Sequence, residues 1–366
     1  MDEPGSSQDA TLTGQTSRVA RSTVIPLLAI LTLLAMIAFL KVAKVIILPV
    51  VLSAFLALLL SPLILWLKKR EWPVLPAALA SLASVFALII LVGLLGVLSL
   101  QTLGSALPDY LMKMQVLMQK LNVWLPSLGF NLEIEQVMDM VDGGYIAVVL
   151  SRSLAFALDL TKYGVMIFFL TLFMLIEAAR FKSKLARAFG EDNWINSALA
   201  SVGIEIQRYI LFKTLISLAT GILVWGWLEL LHVDFALLWG LITFLLNFIP
   251  SVGSIVASVP PVLVALVQFG NPVEMALIVL AGELAIQVTI GNYLDPRIMG
   301  RNLNLSALII FVSMMFWGWL WGPVGMLVAV PLAVCIKVSL SHHDQTRALS
   351  LMMESRPPPA TRQIFN

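Results

Sequence analysis

The chain has 366 residues, of which 60% are hydrophobic and only 12% are charged, whereas soluble globular chains carry about 25% charged residues. A soluble body of this size needs a polar surface, so this composition, with its mean hydropathy of +0.95, excludes a soluble protein and indicates a membrane protein. The net charge of +2 argues against nucleic-acid binding, which needs a clustered basic face. One cysteine allows no intrachain disulfide, and three scattered histidines do not make a zinc site. We therefore expect neither a metal ion nor a cofactor.

The N-terminal part of the chain contains three uncharged stretches that are long enough to cross a bilayer. A hydrocarbon core about 30 Å thick needs about 20 apolar helical residues. Residues 1–23 are polar and predict a disordered cytoplasmic tail. Residues 24–100 then predict three transmembrane helices, with uncharged stretches at 22–40, 45–67 and 75–100.

Residues 101–150 change character and predict an extracytoplasmic insert, because five acidic and two basic residues are spread through them. Within the insert, apolar residues recur at three- and four-residue steps and predict an amphipathic helix that ends before Pro126. This helix would pack against the bundle or a neighbouring subunit, lie on the membrane surface, or contact a solute. Its apolar residues are Tyr110, Met114, Leu117, Met118, Leu121, Trp124 and Leu125.

The middle of the chain predicts two more spans separated by a basic loop. Residues 151–177 predict the fourth span, and residues 178–208 predict a basic cytoplasmic loop. The fifth span is predicted to begin at residue 209. Lys213 would lie in its first turn, near enough to the interface for its ammonium group to snorkel into water.

The distribution of basic residues predicts the orientation in the membrane. If the N-terminus is cytoplasmic, the basic clusters at 68–70 and 180–187 fall on the cytoplasmic side, as the positive-inside rule prefers. The C-terminal tail, residues 341–366, is then cytoplasmic as well.

The predicted transport core, residues 209–340, contains two apolar stretches that are too long for one span. Residues 235–273 and 302–336 are uncharged over 39 and 35 residues, roughly 50 to 60 Å as straight helices. Both are interrupted by proline and glycine, and such paired interruptions point to a secondary transporter's binding site, because unwound backbone at membrane depth is tolerated only around a cavity or inside protein. The residues expected to line the pathway at these interruptions are Pro250, Gly253, Pro260, Pro296, Gly300, Pro323, Gly325 and Pro331.

Two arrangements of the interrupted stretches are compatible with the sequence. As re-entrant hairpins, they would enter from opposite sides as inverted copies, and the span 274–292 between them would place Arg297 and Arg301 in the cytoplasm. As kinked full spans, they would leave these two arginines outside. Either way we predict an all-α polytopic membrane bundle with about eight membrane segments.

Ionisable and amide side chains cluster around the interruptions. An ionisable residue inside a membrane segment is costly and is by default a functional-site hypothesis. Glu283 and Gln287 are four residues apart and therefore share one helix face. The alternative is structural, with helix-packing hydrogen bonds for Glu283 and Asn247 and an interfacial salt bridge between Asp295 and Arg297. The residues predicted to bind the solute or ion are Asn247, Glu283, Gln287, Asn292, Asp295 and Arg297.

Three motifs in this region, taken in order, resemble the AI-2E (autoinducer-2 exporter) family, also called PerM-like permeases. They are NFIPSVG at 247–253, NYLDPRIMG at 292–300 and GPVGMLVAVP at 322–331. The resemblance covers residues 24–340, and Gln207, Tyr209 and Lys213 fit it less specifically. One departure is Ser306, where many members carry proline.

The resemblance implies a bacterial inner-membrane protein that assembles as a homo-oligomer. Members are named for export of autoinducer-2, and some resemble sodium or lithium/proton antiporters. We therefore expect a secondary transporter that exports a small polar solute, coupled to a proton or sodium gradient at a carboxylate site containing Glu283 and Asp295. A cation/proton antiporter, a passive oligomeric channel and a membrane scaffold remain alternatives. An enzyme or a self-contained ATP-driven pump is not expected, because no catalytic set and no P-loop is recognisable.

Overall fold

A computed structural model describes residues 27–28, 30–124, 151, 163–178, 180–181, 183–184, 187–188, 194–250, 252–294, 305–341 and 345–355. Within these residues the regular structure is helical and no strand occurs. Five helices are long and apolar enough to cross a membrane, and five shorter helices in the same part of the chain are also apolar. The predicted all-α polytopic membrane bundle is confirmed.

Eleven helices are labelled here in chain order. The chain divides into two compact units: α1 and the start of α2 belong to Met1–Pro49, and the rest of α2 and all later helices belong to Val50–Asn366. A π-helical segment, Val288–Leu294, continues α8. The helices are α1 Ile30–Val42, α2 Lys44–Lys68, α3 Val74–Trp124, α4 Tyr163–Ala178, α5 Trp194–Leu230, α6 Ala236–Leu246, α7 Val252–Gln268, α8 Pro272–Gln287, α9 Ala307–Trp321, α10 Pro323–Ser341 and α11 Arg347–Met352.

Helix α3 joins the predicted third span to the predicted amphipathic helix of the insert. It runs without interruption for 51 residues through Pro108, roughly 75 Å. Tyr110, from the predicted apolar stripe, packs its ring against Phe235 with 5.8 Å between centroids. At this position the stripe therefore packs against the bundle, which was one of the three roles considered for it. The division of the chain into membrane and extramembrane regions remains a prediction.

Helix α5 is longer than the span predicted from the sequence. It begins at Trp194 and continues for 37 residues, roughly 55 Å. Lys213 therefore lies well inside the helix, and only 2% of it is exposed. The expectation that Lys213 snorkels to the interface is wrong, because the helix extends several turns further towards its N-terminus and surrounding protein encloses the side chain.

The first interrupted stretch is a helical hairpin, hairpin 1, made of α6 and α7. Its two ends are hydrogen-bonded to one another: Gln268 Nε2 donates to the carbonyl oxygen of His232 at 2.7 Å, and Gln268 Oε1 accepts from the Asp234 N–H at 2.9 Å. The chain thus returns to the place where it entered. A kinked span would separate these ends by the length of two helices.

The second interrupted stretch is also a hairpin, hairpin 2, made of α9 and α10. Gly322 makes the turn with a positive φ of 71°, a conformation that glycine adopts at little cost. The two arms are antiparallel, since Ser313 Oγ donates to the carbonyl oxygen of Ala329 at 2.9 Å and Gly318 lies against Met326.

The similar sequences at the two interruptions have the same structural role. A Cβ atom on Gly253 would lie 1.7 Å from the Leu246 carbonyl oxygen, and one on Gly325 would lie 2.0 Å from the Trp317 carbonyl oxygen. In each hairpin, the glycine that follows the proline lets the second arm approach the backbone of the first. The proline-glycine pattern therefore marks a tight turn between helical arms.

The two hairpins pack against different parts of α5. The core of hairpin 1 includes Val224 and Leu228 of α5, whereas that of hairpin 2 includes Ile206 and Tyr209. Ile206 and Leu228 are 22 residues apart on one helix, roughly 33 Å, close to the thickness of the hydrocarbon core. Helix α5 is therefore the common support for both hairpins.

Candidate functional site

Buried polar side chains gather between the tip half of hairpin 1, α5 and α8. On α5, Lys213, Ser217 and Thr220 are all buried, and their spacing of four and three residues puts them on one face of the helix. Buried polar groups are costly unless they are paired or used, so this region is the candidate site. We call it the polar cluster; it consists of the half-buried Ser254 and Gln287 and the buried Lys213, Ser217, Thr220, Thr243, Asn247, Ser258 and Glu283.

Asn247 attaches the tip of hairpin 1 to the middle of α5. It is the C-cap residue of α6, and its Nδ2 donates to Ser217 Oγ at 3.0 Å. Direct contact between the helices permits this bond, because a Cβ on Gly221 would lie 2.7 Å from the Gly240 carbonyl oxygen. The amide predicted from the sequence is therefore in the polar cluster, where it makes a helix-packing hydrogen bond.

Gln287 links α8 to hairpin 1. Its Nε2 lies 3.2 Å from both the Ser254 carbonyl oxygen and Ser258 Oγ, to which it donates. Ser258 Oγ in turn donates to the Ser254 carbonyl oxygen at 3.0 Å. Sequence analysis predicted that Gln287 faces a polar group but did not identify Ser254 and Ser258, because isolated serines in an apolar helix give no distinctive signal.

Glu283 is the most unusual member of the polar cluster. It is 1% exposed, and neither carboxyl oxygen makes a hydrogen bond of good geometry with a described residue, although the Ser258 hydroxyl of α7 is close enough to act on the carboxyl group. A charged carboxylate without donors would cost several kcal/mol. Glu283 is therefore the group in this cluster best suited to take up a proton, a cation or a hydrogen-bond donor of a solute.

Trp227 of α5 places an indole N–H donor against α8, the helix that carries Glu283. Its buried Nε1–H has no acceptor among the described residues. Helix α8 approaches it at Gly282, where a Cβ atom would lie 2.2 Å from Trp227 Nε1, and Glu283 is the next residue. Sequence analysis did not predict Trp227, because a tryptophan inside an apolar helix with a glycine-containing neighbour is too common a pattern to be informative.

A cavity of about 290 Å³ lies between α7 and α8, beside the polar cluster. Its polar residues are Ser254, Ser258 and Gln287, which already hydrogen-bond one another. Its other walls are aliphatic side chains, and Glu283 does not line it. The cavity is therefore an apolar groove. The aliphatic walls are Ile255, Val259, Val262, Leu263, Leu280 and Leu284.

The remaining predicted residues lie in the π-helical segment, in the two hairpins or outside the described residues. Asn292 lies in the π-helical segment, a type of turn often found at functional sites. Four predicted residues, Asp295, Pro296, Arg297 and Gly300, lie outside the described residues. The second arms of the hairpins contain Pro260 and Pro331, and the turn regions contain Pro250, Gly253, Pro323 and Gly325. Their lining of a transport pathway remains a prediction.

The described residues contain no group of three or more His, Cys, Asp or Glu side chains placed to hold a metal ion. Within this part of the chain, the site is built from hydroxyl, amide, indole and carboxyl groups and the ammonium group of Lys213. These groups suit hydrogen bonding to a polar solute or the binding of a proton or monovalent cation.

Comparison with known proteins agrees with the resemblance found in the motifs. The sequence model of AI-2E family transporters matches residues 28–344. The AI-2 transport protein TqsA of Escherichia coli (strain K12) is 34% identical over 314 residues, which are 86% of this chain and 90% of TqsA. YhhT of the same strain is 34% identical over 313 residues, 85% of this chain and 89% of YhhT. A Haemophilus influenzae relative is 32% identical over 337 residues, 89% of this chain and 95% of that protein. The chain is thus a multi-pass membrane protein that belongs to the AI-2E family of transporters.

Proposed function

We propose that this protein exports a small polar solute such as autoinducer-2 across the bacterial inner membrane, coupled to a proton or sodium gradient. Support for the solute comes from TqsA, which is named for AI-2 transport and is 34% identical over 86% of this chain. Support for coupling comes from Glu283, a carboxyl group that is 1% exposed and makes no hydrogen bond of good geometry with a described residue. Glu283 is the observation on which the proposal depends.

Glu283 would couple transport to ion movement through a change in its access to water. In the present conformation it is enclosed between α5, α7 and α8, where a neutral carboxyl group is favoured over a charged one. A movement of α7 away from α8 would break the hydrogen bonds of Gln287 and expose Glu283 to water. The carboxyl group would then release a proton or bind a cation on one side of the membrane and reverse the step on the other.

The solute would be held by the uncharged groups of the polar cluster. Asn247, Ser217 and Ser258 offer donors and acceptors that can exchange their internal hydrogen bonds for bonds to hydroxyl groups. The Trp227 indole N–H supplies a further donor. Asn292, Asp295 and Arg297 remain proposed members of this site.

We further propose that hairpin 1 enters the membrane from the outside and hairpin 2 from the cytoplasm. Their packing against different ends of α5 supports inverted entry, and the positive-inside rule supports cytoplasmic termini. This arrangement keeps the irregular backbone of both turns inside protein, as the bilayer requires. The proposed unit is a homo-oligomer.

A cation/proton antiporter is the second candidate. It is favoured by the same buried Glu283, because an unpaired carboxyl group can bind a proton or a monovalent cation alternately. In that case the polar cluster would supply oxygen ligands to the cation, and no organic solute would move.

The test is uptake of labelled autoinducer-2 into proteoliposomes under an imposed pH gradient, with sodium flux measured in the same vesicles. We expect gradient-dependent uptake by the wild type and its loss in Glu283→Gln, because glutamine cannot exchange a proton. Glu274→Gln is the matched control, since Glu274 is an exposed residue of the same helix. Sodium flux without solute uptake would favour the antiporter, and unchanged transport by Glu283→Gln would contradict both assignments.

A further inference from the structure

The turn between α2 and α3 lies at the membrane surface, because it joins two helices that are both long and apolar enough to span a bilayer. Helix α2 ends at Lys68 and α3 begins at Val74, so a short turn connects them. We call residues 66–72 the α2–α3 corner. Trp66 and Trp72, at its two ends, are 49% and 46% exposed. Tryptophan is enriched at the depth of the lipid headgroups, so we place the corner at that depth.

The α2–α3 corner has a hydrogen-bonded backbone. The Trp72 N–H donates to the Leu67 carbonyl oxygen at 3.3 Å, and the Glu71 N–H donates to the Lys68 carbonyl oxygen at 3.0 Å. These two bonds form a Schellman motif, in which the residue at the position of Glu71 adopts a left-handed conformation. Its φ is 65°, a value that glycine adopts more readily than glutamate. The corner is therefore a closed turn rather than a loose loop.

The corner exposes three consecutive basic residues, Lys68, Lys69 and Arg70. Within the described part of the chain, no carboxylate lies at ion-pairing distance from them. The Arg70 guanidinium carbon lies 4.3 Å from the centroid of the Trp66 ring. Contact with an indole holds a guanidinium group by its face and leaves its N–H edge for an anion. The corner thus presents positive charge at headgroup depth, with one donor group already positioned.

We propose that the α2–α3 corner binds the phosphate group of an anionic phospholipid. Three basic residues and one acidic residue, Glu71, leave a positive charge in the corner, which the lipid phosphate balances. Arg70 donates hydrogen bonds to the phosphate oxygens, and the exposed indole rings contact the glycerol and the upper acyl carbons. A lipid is favoured over a free phosphate ion because the charges lie between two exposed tryptophans at the ends of two membrane helices.

A lipid bound at the corner would act on the helix that supports α5 and hairpin 2. Gln207 Nε2 of α5 donates to Ser61 Oγ of α2 at 2.8 Å, and Ser61 lies in the same half of α2 as the corner. Phe55 and Leu58 of α2 pack against the core of hairpin 2. Binding at the corner is therefore expected to stabilise the folded protein as a whole.

The test is a titration of the full-length protein, purified in a neutral detergent, with dioctanoyl phosphatidylglycerol. The apparent melting temperature reports binding, because a ligand that binds only the folded protein raises it. We expect phosphatidylglycerol to raise it more than dioctanoyl phosphatidylcholine or inorganic phosphate at the same concentration. An equal rise with inorganic phosphate would show a free-anion site and overturn the assignment to a lipid, and an equal rise with phosphatidylcholine would overturn the requirement for an anionic headgroup.

Arg70→Gln should weaken the apparent affinity for phosphatidylglycerol about fivefold, the factor that corresponds to about 1 kcal/mol for one basic residue. Lys44→Gln is the matched control, since Lys44 is an exposed basic residue at the opposite end of α2, and it should bind as tightly as the wild type. Equal affinities of Arg70→Gln and Lys44→Gln would overturn the proposal.

Glu71 provides a test of opposite sign. Glu71→Gln removes the negative charge of the corner and should bind phosphatidylglycerol about fivefold more tightly than the wild type. Glu71→Gly should bind as tightly as Glu71→Gln and also raise the melting temperature without lipid, because glycine relieves the left-handed backbone. Neither variant removes a basic group, so this test stands even if Arg70→Gln fails to fold. An unchanged affinity in Glu71→Gln would contradict binding at the corner.

Trp66→Leu tests whether the indole positions Arg70. Leucine keeps an apolar side chain at the interface but offers no ring to the guanidinium group, so the affinity for phosphatidylglycerol should fall. In the Arg70→Gln background the same substitution should have a smaller effect, because the group it positions is gone. If Trp66→Leu weakened binding equally in both backgrounds, the indole would not act through Arg70 and this part of the proposal would be wrong.

Discussion

Hairpins 1 and 2 share a turn geometry but differ in the chemistry of their tips. The tip half of hairpin 1 carries hydroxyl and amide groups that bond to α5 and α8, as in the pair Asn247 and Ser217. Near the turn of hairpin 2, the rings of buried Trp317 and Trp321 pack at a tilt of 42°, with 4.6 Å between their centroids. The same turn geometry thus supports an interface of exchangeable hydrogen bonds in hairpin 1 and an interface of close aromatic packing in hairpin 2. The buried Glu283 carboxyl group lies beside hairpin 1.

The largest loss of stability is expected from substitution of the turn glycines, where the two hairpins are most alike. Gly253→Ala and Gly325→Ala each place a Cβ atom within 2.0 Å of a carbonyl oxygen, which the backbone can relieve only by moving the arms apart. We expect both variants to lose the folded protein, measured as the monodisperse peak and apparent melting temperature in detergent. Gly96→Ala is the control, since nothing lies within 4 Å of its added Cβ. A wild-type melting temperature in either hairpin variant would refute the shared turn.

Truncation of Trp317, near the turn of hairpin 2, should cause the next largest loss of stability. Trp317 is buried against Trp321 and Phe316, and truncation of a buried tryptophan to alanine costs about 3–5 kcal/mol. Trp317→Ala should therefore lower the apparent melting temperature strongly, while Trp72→Ala, at an exposed position, should change it little. If the two variants melted alike, close packing would not be what stabilises hairpin 2.

The polar tip should show a smaller loss of stability and a larger loss of transport. Asn247→Ala removes one hydrogen bond and leaves Ser217 Oγ without its donor, a cost of about 1–2 kcal/mol. Its transport rate should fall further than that of Trp317→Ala measured at equal amounts of folded protein. Asn271→Ala, at the N-cap of α8, is the matched control. Equal transport by Asn247→Ala and Asn271→Ala would remove Asn247 from the proposed site.

The candidate site was predictable where its signal is local in the sequence. Glu283 stands out because a carboxylate in an apolar run is rare, and Gln287 follows from the spacing of helix positions. Trp227, Ser254 and Ser258 were not predictable, because their roles come from contacts between helices that are distant in the chain. The burial of Lys213 was missed for the same reason, since it depends on how far α5 extends and on which elements cover it.

The sequence by itself determined that this is an all-helical membrane protein of the AI-2E family, because hydropathy sums over neighbouring residues and the family motifs are contiguous. It also determined where the two long apolar stretches are interrupted. Only the tertiary structure decided that both interruptions are hairpins, because proline and glycine permit a kink as readily as a turn. The choice depends on long-range contacts such as those of Gln268 with His232 and of Gly253 with Leu246, which form only when the arms have folded back on one another.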